Sequence, residues 1–209
     1  MQIQVEDNHY VSSNYVTLER WSSYWYQINT IRELFPLSIL EIGIGNGSCK
    51  DYLIKNNYKV ITLDIDIKLH PNVLGSIEKI PFKSKSFNIV ACFEVLEHIT
   101  YDSCIEALRE IYRVTDKYCV LSIPDCRRAI RFQVQLPCIG QLKKMITLPF
   151  LIKPVHNYDG EHYWELGKSG YSIKNFIQDI EKCGFETTNH FRPYEFPYHH
   201  FFILRKYDL

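Results

Sequence analysis

The sequence predicts an α/β protein whose strands form a mostly parallel sheet with helices packed around it. Short β-branched, apolar runs alternate with segments of helical period between residues 37 and 125, and this alternation is typical of parallel strands joined by right-handed crossovers. A glycine-rich turn at 43–47 follows the first apolar run. Asp64 ends the next predicted strand about 20 residues later, as in sheets that bind nucleotides.

The first predicted element is a helix over 14–35. Trp21, Tyr24, Trp25 and Ile28 lie at helical spacing, so one face of this helix carries three aromatic side chains. We expect this face to pack on the sheet. Alternatively, it also covers a ligand cleft, because aromatic lids exclude water.

The alternation of strands and helices begins after Pro36, which ends the first helix. The link from Ile65 to Pro71 is short, so at most a single helical turn is expected between the second and third strands. The elements are predicted, in order, as strand 38–42, helix 47–57, strand 59–64, short strand 72–75, strand 87–93, helix 101–115 and strand 118–124.

The region after the fifth strand is predicted as an irregular insertion over 126–160, and an insertion of this size in a compact domain is usually functional. Basic residues flank apolar ones in 143–154, which is compatible with a lid or with a peripheral membrane contact. Pro149 and Pro154 favour the lid, because proline interrupts an amphipathic helix.

The last part of the chain predicts a helix and two closing strands. Ser172 is expected to cap a helix over 173–183 that ends at Gly184. Strands are expected over 185–192 and 200–206. The whole chain is therefore interpreted as one domain, 1–209, made of a helical cap (1–36), a core (37–125), an insertion (126–170) and a closing unit (171–209).

Composition and charge exclude several classes of protein. The 209 residues carry 24 basic and 24 acidic side chains, and this neutral balance disfavours nucleic acid as a partner. No apolar run approaches the ~20 residues of a membrane span. The N-terminus is polar and acidic, and the seven cysteines are scattered without a C-x-x-C pair. These features predict a cytoplasmic protein with free thiols and without a structural zinc site. Length and charge leave the oligomeric state open.

Four ordered segments resemble a known family. Residues 39–47 end in Glu-x-Gly-x-Gly-x-Gly, 75–82 read Gly-Ser-Ile-Glu-Lys-Ile-Pro-Phe, and 86–99 end in Glu-Val-Leu-Glu-His-Ile. Together with 107–124, they resemble the class I S-adenosylmethionine-dependent methyltransferases, in particular the small type 11 group with the ubiquinone and menaquinone enzymes. The resemblance implies a doubly wound, Rossmann-like sheet of seven mostly parallel strands, with an antiparallel last strand and helices on both faces.

The resemblance also implies S-adenosylmethionine as cofactor and assigns roles at its methionine end. The backbone at Gly43 and Gly45 would approach the methionine tail, and Gly47 would let the following helix start close behind. Glu41 would engage the ammonium group directly or through water. Phe93 would line the pocket near the sulfonium, or belong to the core.

The nucleoside end of the cofactor is assigned in the same way. Asp64, followed by Ile65, would accept the ribose hydroxyls, which suit a carboxylate; Asp66 is the alternative, because it lies on the same side of the strand. Ser76 stands where the family commonly has an acid for the adenine amino group. Adenine recognition would then depend more on the backbone of Ile77.

Methyl transfer needs in-line positioning and, for oxygen or carbon nucleophiles, a base. His98 and His162 are the catalytic candidates, and structural roles are the alternative for both. The polar and aromatic segment 158–165 suits a hydroxylated acceptor such as a sugar. His199 and His200 are expected to be structural, and no metal site is expected.

The predicted function is methyl transfer to a small-molecule, glycan or lipid-linked acceptor. Arg127, Arg128 and Arg131 are compatible with binding an acceptor phosphate or carboxylate, or with surface salt bridges. The alternative function is a noncatalytic module of the same fold that binds the cofactor or a partner. A nicotinamide-binding protein is disfavoured, because the glycines of 43–47 do not have the Gly-x-Gly-x-x-Gly spacing.

Overall fold

The computed structural model describes residues 10, 12, 15–148 and 153–207, and its centre is a seven-stranded sheet. A separate pair of strands lies outside this sheet. The strands are β1 (Ile39–Ile42), β2 (Val60–Asp64), β3 (Val73–Leu74), β4 (Phe87–Phe93), β5 (Thr115–Pro124), β6 (Ala129–Leu136), β7 (Gly140–Thr147), β8 (Phe185–Phe191) and β9 (His199–Lys206).

The strand order in the large sheet is β3–β2–β1–β4–β5–β9–β8. The pairs among β1 to β5 are parallel, whereas β9 runs antiparallel to both β5 and β8. This confirms the predicted Rossmann-like fold with its antiparallel last strand. The chain turns outward in opposite directions from β1 and β4, and ligands of open α/β sheets bind at such a reversal.

Four helices among the described residues cover both faces of the sheet. They are α1 (Leu18–Glu33), α2 (Ser48–Lys55), α3 (Tyr101–Val114) and α4 (Ile173–Lys182). One buried cluster contains Ile31 of α1 and Leu53 of α2, and a second contains the buried faces of α3 and α4. Alternate strand residues point into the two clusters, so both faces of the sheet are buried, as in parallel sheets generally.

Local signals explain most of the element boundaries. Ser172 accepts a hydrogen bond from the backbone N–H of Asn175 and caps α4 as predicted. The connection from β2 to β3 contains only the short 3₁₀ turn Ile67–Leu69, also as predicted. No helix in the described part of the chain has the length and apolarity to cross a membrane.

The prediction that the aromatic face of α1 packs on the sheet is wrong for both tryptophans. Trp21 and Trp25 are 52% and 58% exposed, whereas Tyr24 is 8% exposed. The buried face is formed instead by Ser23, Tyr24, Gln27, Thr30 and Ile31. Small and polar residues contribute to this face because α1 crosses the edge of a polar cavity as well as the apolar core.

The predicted irregular insertion is also wrong over residues 129–147. There β6 and β7 pair antiparallel along their full length, from Ala129 opposite Thr147 to Leu136 opposite Gly140. The alternation Ile130, Phe132, Val134 is a two-residue period, which favours a strand over the irregular structure expected from the sequence. Residues 149–152 of the predicted 143–154 contact lie outside the described residues. The division of the chain into cap, core, insertion and closing unit remains a prediction.

A buried ion cluster holds the ends of β5 and β9 together. Asp125 is 1% exposed, and its Oδ2 lies 2.7 Å from Arg127 Nη2, 3.0 Å from His200 Nδ1 and 3.4 Å from Arg192 Nε. Arg192 also donates to the carbonyl of Arg127 and to Thr147 Oγ1. Burial alone would raise the pKa of Asp125, but the hydrogen bonds from His200 and Arg127 and the charge of Arg192 lower it to about 2.

We expect Asp125→Asn to destabilise the protein at neutral pH by about 3–5 kcal/mol, because it leaves the buried Arg192 and the partly buried Arg127 without their carboxylate. The folded pKa lies below the unfolded value, so the contribution of Asp125 is present above pH 4 and declines as the pH falls towards 2. Urea unfolding of both proteins at pH 7, 4 and 2.5 measures this difference. A difference in unfolding free energy that stays constant over this range would contradict the assignment.

Candidate active site

A cavity of about 120 Å³ lies at the carboxyl ends of β1, β2 and β4, where the strand order reverses. The glycine-rich turn, the end of β2 and the turn after β4 form its walls. Of the predicted site residues, it brings together Glu41, Gly43, Gly45, Asp64, Ile65, Phe93 and His98. It does not include Gly47, Ser76, Ile77 or His162.

The glycine-rich turn approaches the turn after β4 too closely for a side chain. Gly43 has a φ of +79°, and a Cβ atom there would lie 2.3 Å from Val95 Cγ2. Gly45 also has a positive φ, and its nearest side-chain neighbour is Tyr10 at 3.8 Å from the Cβ position. Gly47 is the N-cap of α2 in the left-handed conformation. Backbone atoms of this turn therefore face the cavity directly.

Asp64 connects the end of β2 to the glycine-rich turn. Its Oδ2 accepts the backbone N–H of Ile44 at 2.8 Å, and its Oδ1 accepts that of Asp66 at 2.9 Å. A carboxylate oxygen has two acceptor sites, so both oxygens retain capacity for a further donor. Asp66 also lines the cavity, but its carboxylate accepts the N–H of Lys68 and caps the following 3₁₀ turn.

Glu41 places a buried carboxylate in the cavity wall. Its side chain belongs to β1 and is 2% exposed, and its Oε2 has no hydrogen-bond partner among the described residues. Burial raises the pKa of Glu41 to about 8, and the charge of Lys50 only partly opposes this effect. The wall therefore favours a cationic group of a ligand, which would restore the charged carboxylate.

The cavity is covered by residues from the N-terminal side of the chain. Tyr10, Tyr15, Arg20 and Tyr24 line it, and the guanidinium of Arg20 lies 4.4 Å from the ring centroid of Tyr15. The alternative prediction is that the aromatic face of α1 covers a ligand cleft. The position of Tyr24 is consistent with that role. Sequence analysis missed Tyr10, Tyr15 and Arg20, because only the fold brings them above the glycine-rich turn.

The predicted adenine residues lie beside this cavity. Ile77 is 1% exposed and lines a smaller cavity of about 30 Å³ together with Asp64 and Ile65. The hydroxyl of Ser76 donates to Glu78 Oε2 at 3.3 Å. Glu78 is therefore hydrogen-bonded to Ser76, which occupies the position where the family commonly has an acid.

Phe93 belongs to the core and also lines the cavity. It is 8% exposed, belongs to the core cluster of α1 and α2, and lines the cavity. Its ring centroid lies 6.0 Å from that of Phe201 on β9, so the wall is supported from behind.

The structure brings His98 and His162 together, although only His98 lines the cavity. Their ring centroids are 5.0 Å apart and the rings are nearly perpendicular. Trp164 explains this proximity: it is fully buried, and its indole N–H donates to the carbonyl of Leu96 at 3.2 Å. The backbone N–H of Tyr163 also donates to the carbonyl of Glu97, so segment 161–166 is fixed against the turn after β4.

Two glutamates of that turn were missed as site residues. Glu94 has a φ of +53°, lines the cavity, and lies with Oε2 3.3 Å from His199 Nε2. A positive φ is uncommon for a non-glycine residue and often marks a functional turn. Glu97 is fully buried, and neither carboxylate oxygen has a partner among the described residues. Burial raises the pKa of both carboxyls, and the charge of Glu94 raises that of Glu97 further.

Two further histidines and two of the three candidate arginines bond to protein groups. His199 is fully buried, with Nδ1 2.7 Å from Ser23 Oγ, and His200 bonds to Asp125. Arg127 pairs with Asp125, and Arg131 donates to the carbonyls of residues 194 and 195. For these two arginines the geometry favours the structural alternative.

Comparisons with known proteins agree with this geometry. Residues 40–123 match a family model described as a methyltransferase domain, of type 11. An uncharacterised protein of Methanocaldococcus jannaschii is 32% identical over 83 residues, and the match spans 36% of this chain and only 35% of that relative.

Solved structures share the fold over most of the chain. The 1,6-didemethyltoxoflavin-N1-methyltransferase of Burkholderia thailandensis, with S-adenosylhomocysteine bound, has a TM-score of 0.57 at 12% identity and covers 90% of this chain and 81% of its own. The magnesium protoporphyrin IX methyltransferase of Synechocystis PCC 6803, also with S-adenosylhomocysteine, has a TM-score of 0.61 at 12% identity, covering 95% and 91%.

The fold, with its glycine-rich turn and the acid at the end of β2, is that of the class I S-adenosylmethionine-dependent methyltransferases. Residues 40–123, the core of the chain, are similar to the type 11 methyltransferases. S-adenosylmethionine is the cofactor of this family.

We expect Gly43→Ala to lower both stability and cofactor affinity. The left-handed conformation costs a residue with a Cβ about 1–2 kcal/mol, and the contact with Val95 adds to this cost. Thermal unfolding and calorimetric titration with S-adenosylhomocysteine measure the two effects. Gly170→Ala is the matched control, because Gly170 has a φ of +89° and no atom within 4 Å of its Cβ position. Equal behaviour of the two variants would show that the approach to Val95 is unimportant.

Proposed function

We propose that this protein transfers a methyl group from S-adenosylmethionine to a small-molecule, glycan or lipid-linked acceptor. One observation carries the proposal: the cavity at the reversal of the sheet combines exposed backbone of the glycine-rich turn, the Asp64 carboxylate and the Glu41 carboxylate, whose Oε2 has no hydrogen-bond partner among the described residues. These groups match the tail, the ribose and the ammonium of the cofactor, respectively. The bound cofactor would supply an electrophilic methyl group.

The residues of the chain would bind and orient the two reactants. Glu41 would pair with the ammonium group, and Asp64 would accept from the ribose hydroxyls, supported by the adjacent Ile65. Ile77, and Ser76 with its bonded Glu78, would face the adenine. Phe93 would form the apolar wall near the reacting carbon, and the N-terminal tyrosines would exclude water from the cavity.

His98 and His162 are proposed to act at the acceptor side. His98 reaches the cavity from the turn after β4 and contacts His162 behind it. The hydrogen bond and charge of Glu165 raise the pKa of His162, although burial opposes them. A chain of two imidazoles and a carboxylate is able to accept a proton from an acceptor hydroxyl and pass it towards the surface.

Two surface features support a glycan or lipid-linked acceptor. Tyr158 and Tyr163 are 53% and 41% exposed, with ring centroids 4.6 Å apart, and such rings suit the apolar faces of sugars. The β6–β7 pair exposes Ile130, Phe132 and Val134, next to the basic residues of the 143–154 segment proposed as a peripheral membrane contact. A cytoplasmic location is proposed as well.

The alternative is a noncatalytic module of the same fold. The serine at position 76 favours it, because an uncharged hydroxyl replaces the usual acid. Glu78 weakens this argument, because its carboxylate is bonded to the Ser76 hydroxyl. Cofactor binding without methyl transfer to sugars, lipid-linked intermediates or small molecules would favour the alternative.

We expect Asp64→Asn to weaken binding of S-adenosylhomocysteine by at least tenfold, since hydrogen bonds to a charged acceptor are worth about 1.5–3 kcal/mol. Isothermal titration of wild type and variant measures the loss. Glu181→Gln, on the exposed side of α4, is the control. Thermal unfolding must accompany the titration, because Asp64 also holds the N–H of Ile44. A folded variant with wild-type affinity would refute the ribose assignment.

We expect the affinity for S-adenosylhomocysteine to rise with pH between 6 and 7.5, by up to about tenfold per unit. In this range Glu41, with a pKa raised to about 8, is largely protonated before binding, and pairing with an ammonium group requires release of that proton. Glu41→Gln should remove this dependence, whereas Glu181→Gln should retain it. Isothermal titrations at pH 6, 6.75 and 7.5 measure this dependence. If the affinity changes equally with pH in wild type and in Glu41→Gln, Glu41 does not pair with the ammonium group.

A further inference from the structure

We propose that Glu97, His98 and His162 bind a divalent metal ion at the acceptor side of the cavity. One potential ligand atom from each of these residues lies within 4.8 Å of the others. A single ion can bridge atoms at such separations after small side-chain adjustments, since its bonds to nitrogen and oxygen are about 2.0–2.2 Å long. The three residues come from the turn after β4 and from the segment that Trp164 anchors against it.

The buried carboxylate of Glu97 is the observation that points to a cation. It is fully buried, and both of its oxygens are unpartnered among the described residues. A carboxylate in this situation is costly unless a cation or hydrogen-bond donors compensate it. Glu94, whose buried Oε1 is likewise unpartnered in the described part of the chain, adds a second negative charge to the same wall.

Each of the two imidazoles has an Nδ1 partner of the kind that metal-binding histidines usually have. His98 Nδ1 lies 3.1 Å from the carbonyl oxygen of Glu161, and His162 Nδ1 lies 3.1 Å from Glu165 Oε1. Glu165 Oε1 also accepts the hydroxyl of Tyr198 at 2.6 Å. When Nδ1–H donates to a carbonyl or carboxylate, Nε2 presents its lone pair, and such outer partners are typical of metal-binding histidines.

A second group of possible ligands, Asp159, His162 and Glu165, fits a metal less well. Asp159 Oδ1 already accepts the backbone N–H groups of Glu161 and His162. Glu165 Oε1 accepts from Tyr198 and contacts His162. The protein itself supplies hydrogen-bond donors to these two carboxylates, which hold the loop and the imidazole in place. The Glu97 carboxylate, by contrast, has no such donor among the described residues.

Two imidazoles and one carboxylate select a first-row divalent metal such as Mn²⁺, Co²⁺ or Zn²⁺, and leave coordination positions open. His98 lines the cavity, so open positions would be available to an acceptor bound there. A metal at this point would lower the pKa of an acceptor hydroxyl and orient its oxygen. The acceptor would then be a hydroxyl compound and the product a methyl ether.

This assignment of the acceptor rests on the proposed function, whereas metal binding itself does not. In the transfer, the acceptor oxygen would form a bond to the methyl carbon and lose its proton to solvent. With the ion bound, His98 and His162 would hold the metal and would no longer accept the proton as in the metal-free route proposed above. The bond between that carbon and the sulfonium would break, with its electron pair remaining on sulfur as a neutral thioether. No oxidant or reductant is required.

The test is metal uptake by the full, untagged chain after treatment with EDTA and removal of the chelator. We expect the protein to bind one equivalent of Mn²⁺, as measured by electron paramagnetic resonance. We also expect it to bind one equivalent of Co²⁺, as measured by visible absorption. His162→Ala and Glu97→Gln should weaken binding at least tenfold. The matched controls are His70→Asn and Glu181→Gln, at exposed positions outside the cluster, and they should bind as wild type.

Thermal unfolding separates a metal ligand from a merely structural acid. In EDTA, Glu97→Gln should be at least as stable as wild type, because glutamine replaces a buried carboxyl group whose oxygens have no partner among the described residues and whose ionisation is costly. Added Mn²⁺ should raise the unfolding temperature of wild type and leave that of Glu97→Gln unchanged. No stoichiometric uptake by folded wild type, or unchanged uptake in both Glu97→Gln and His162→Ala, would overturn the proposal.

Titration with S-adenosylhomocysteine distinguishes this proposal from the proposed function. Cofactor binding without metal uptake would overturn the metal site and leave methyl transfer standing. Metal uptake without cofactor binding would support the site and remove the inference of a hydroxyl acceptor.

Discussion

The contact between the turns that follow β1 and β4 is the constraint on which the rest of the site depends. These strands are neighbours at the reversal of the sheet, and Gly43 lies so close to Val95 that a Cβ atom would overlap it. Because the two turns touch, the backbone after β1 and the side chains after β4 face one cavity. Asp64 reaches the same point from β2 through its bond to the N–H of Ile44. The cofactor side of the site is therefore fixed by short, local connections.

The same edge of the sheet carries an unusual density of buried acid. Glu41, Glu94 and Glu97 each have a carboxylate oxygen without a partner among the described residues, and burial raises the pKa of all three. Asp125, by contrast, is buried with three cationic or hydrogen-bonding partners and has a lowered pKa. Buried carboxylates are thus fully paired where they join strands and only partly paired around the cavity, and such local violations of polar satisfaction are expected at functional sites.

The sequence predicted the order and bounds of the core elements well, because their signals are local. The β-branched runs, the cap at Ser172 and the glycine-rich turn each act within a few residues. The β6–β7 pair was missed, because the segment was interpreted as irregular and the two-residue period of Ile130, Phe132 and Val134 was not recognised. The exposure of Trp21 and Trp25 was missed because spacing identifies the residues that share a helix face but not the surface that this face meets.

The proposed acceptor side was harder to predict for a physical reason. Its groups come from three distant parts of the chain: the turn after β4, segment 161–166, and the start of β9 with His199. Burial and the lack of a partner, which identify Glu94 and Glu97, are properties of the folded chain and leave no pattern in sequence.

The separation between the proposed cofactor side and the proposed acceptor side of the cavity also has a chemical consequence. The groups at the carboxyl ends of β1 and β2 match features that every molecule of the cofactor shares, so little variation is compatible with binding it. The acceptor side depends on how segment 161–166 packs against the turn after β4, through Trp164 and the N–H of Tyr163. A change in that segment moves His162 relative to His98 without disturbing Asp64 or Glu41. Acceptor chemistry in this fold is therefore free to change while the cofactor cavity is retained, consistent with one fold serving several acceptors.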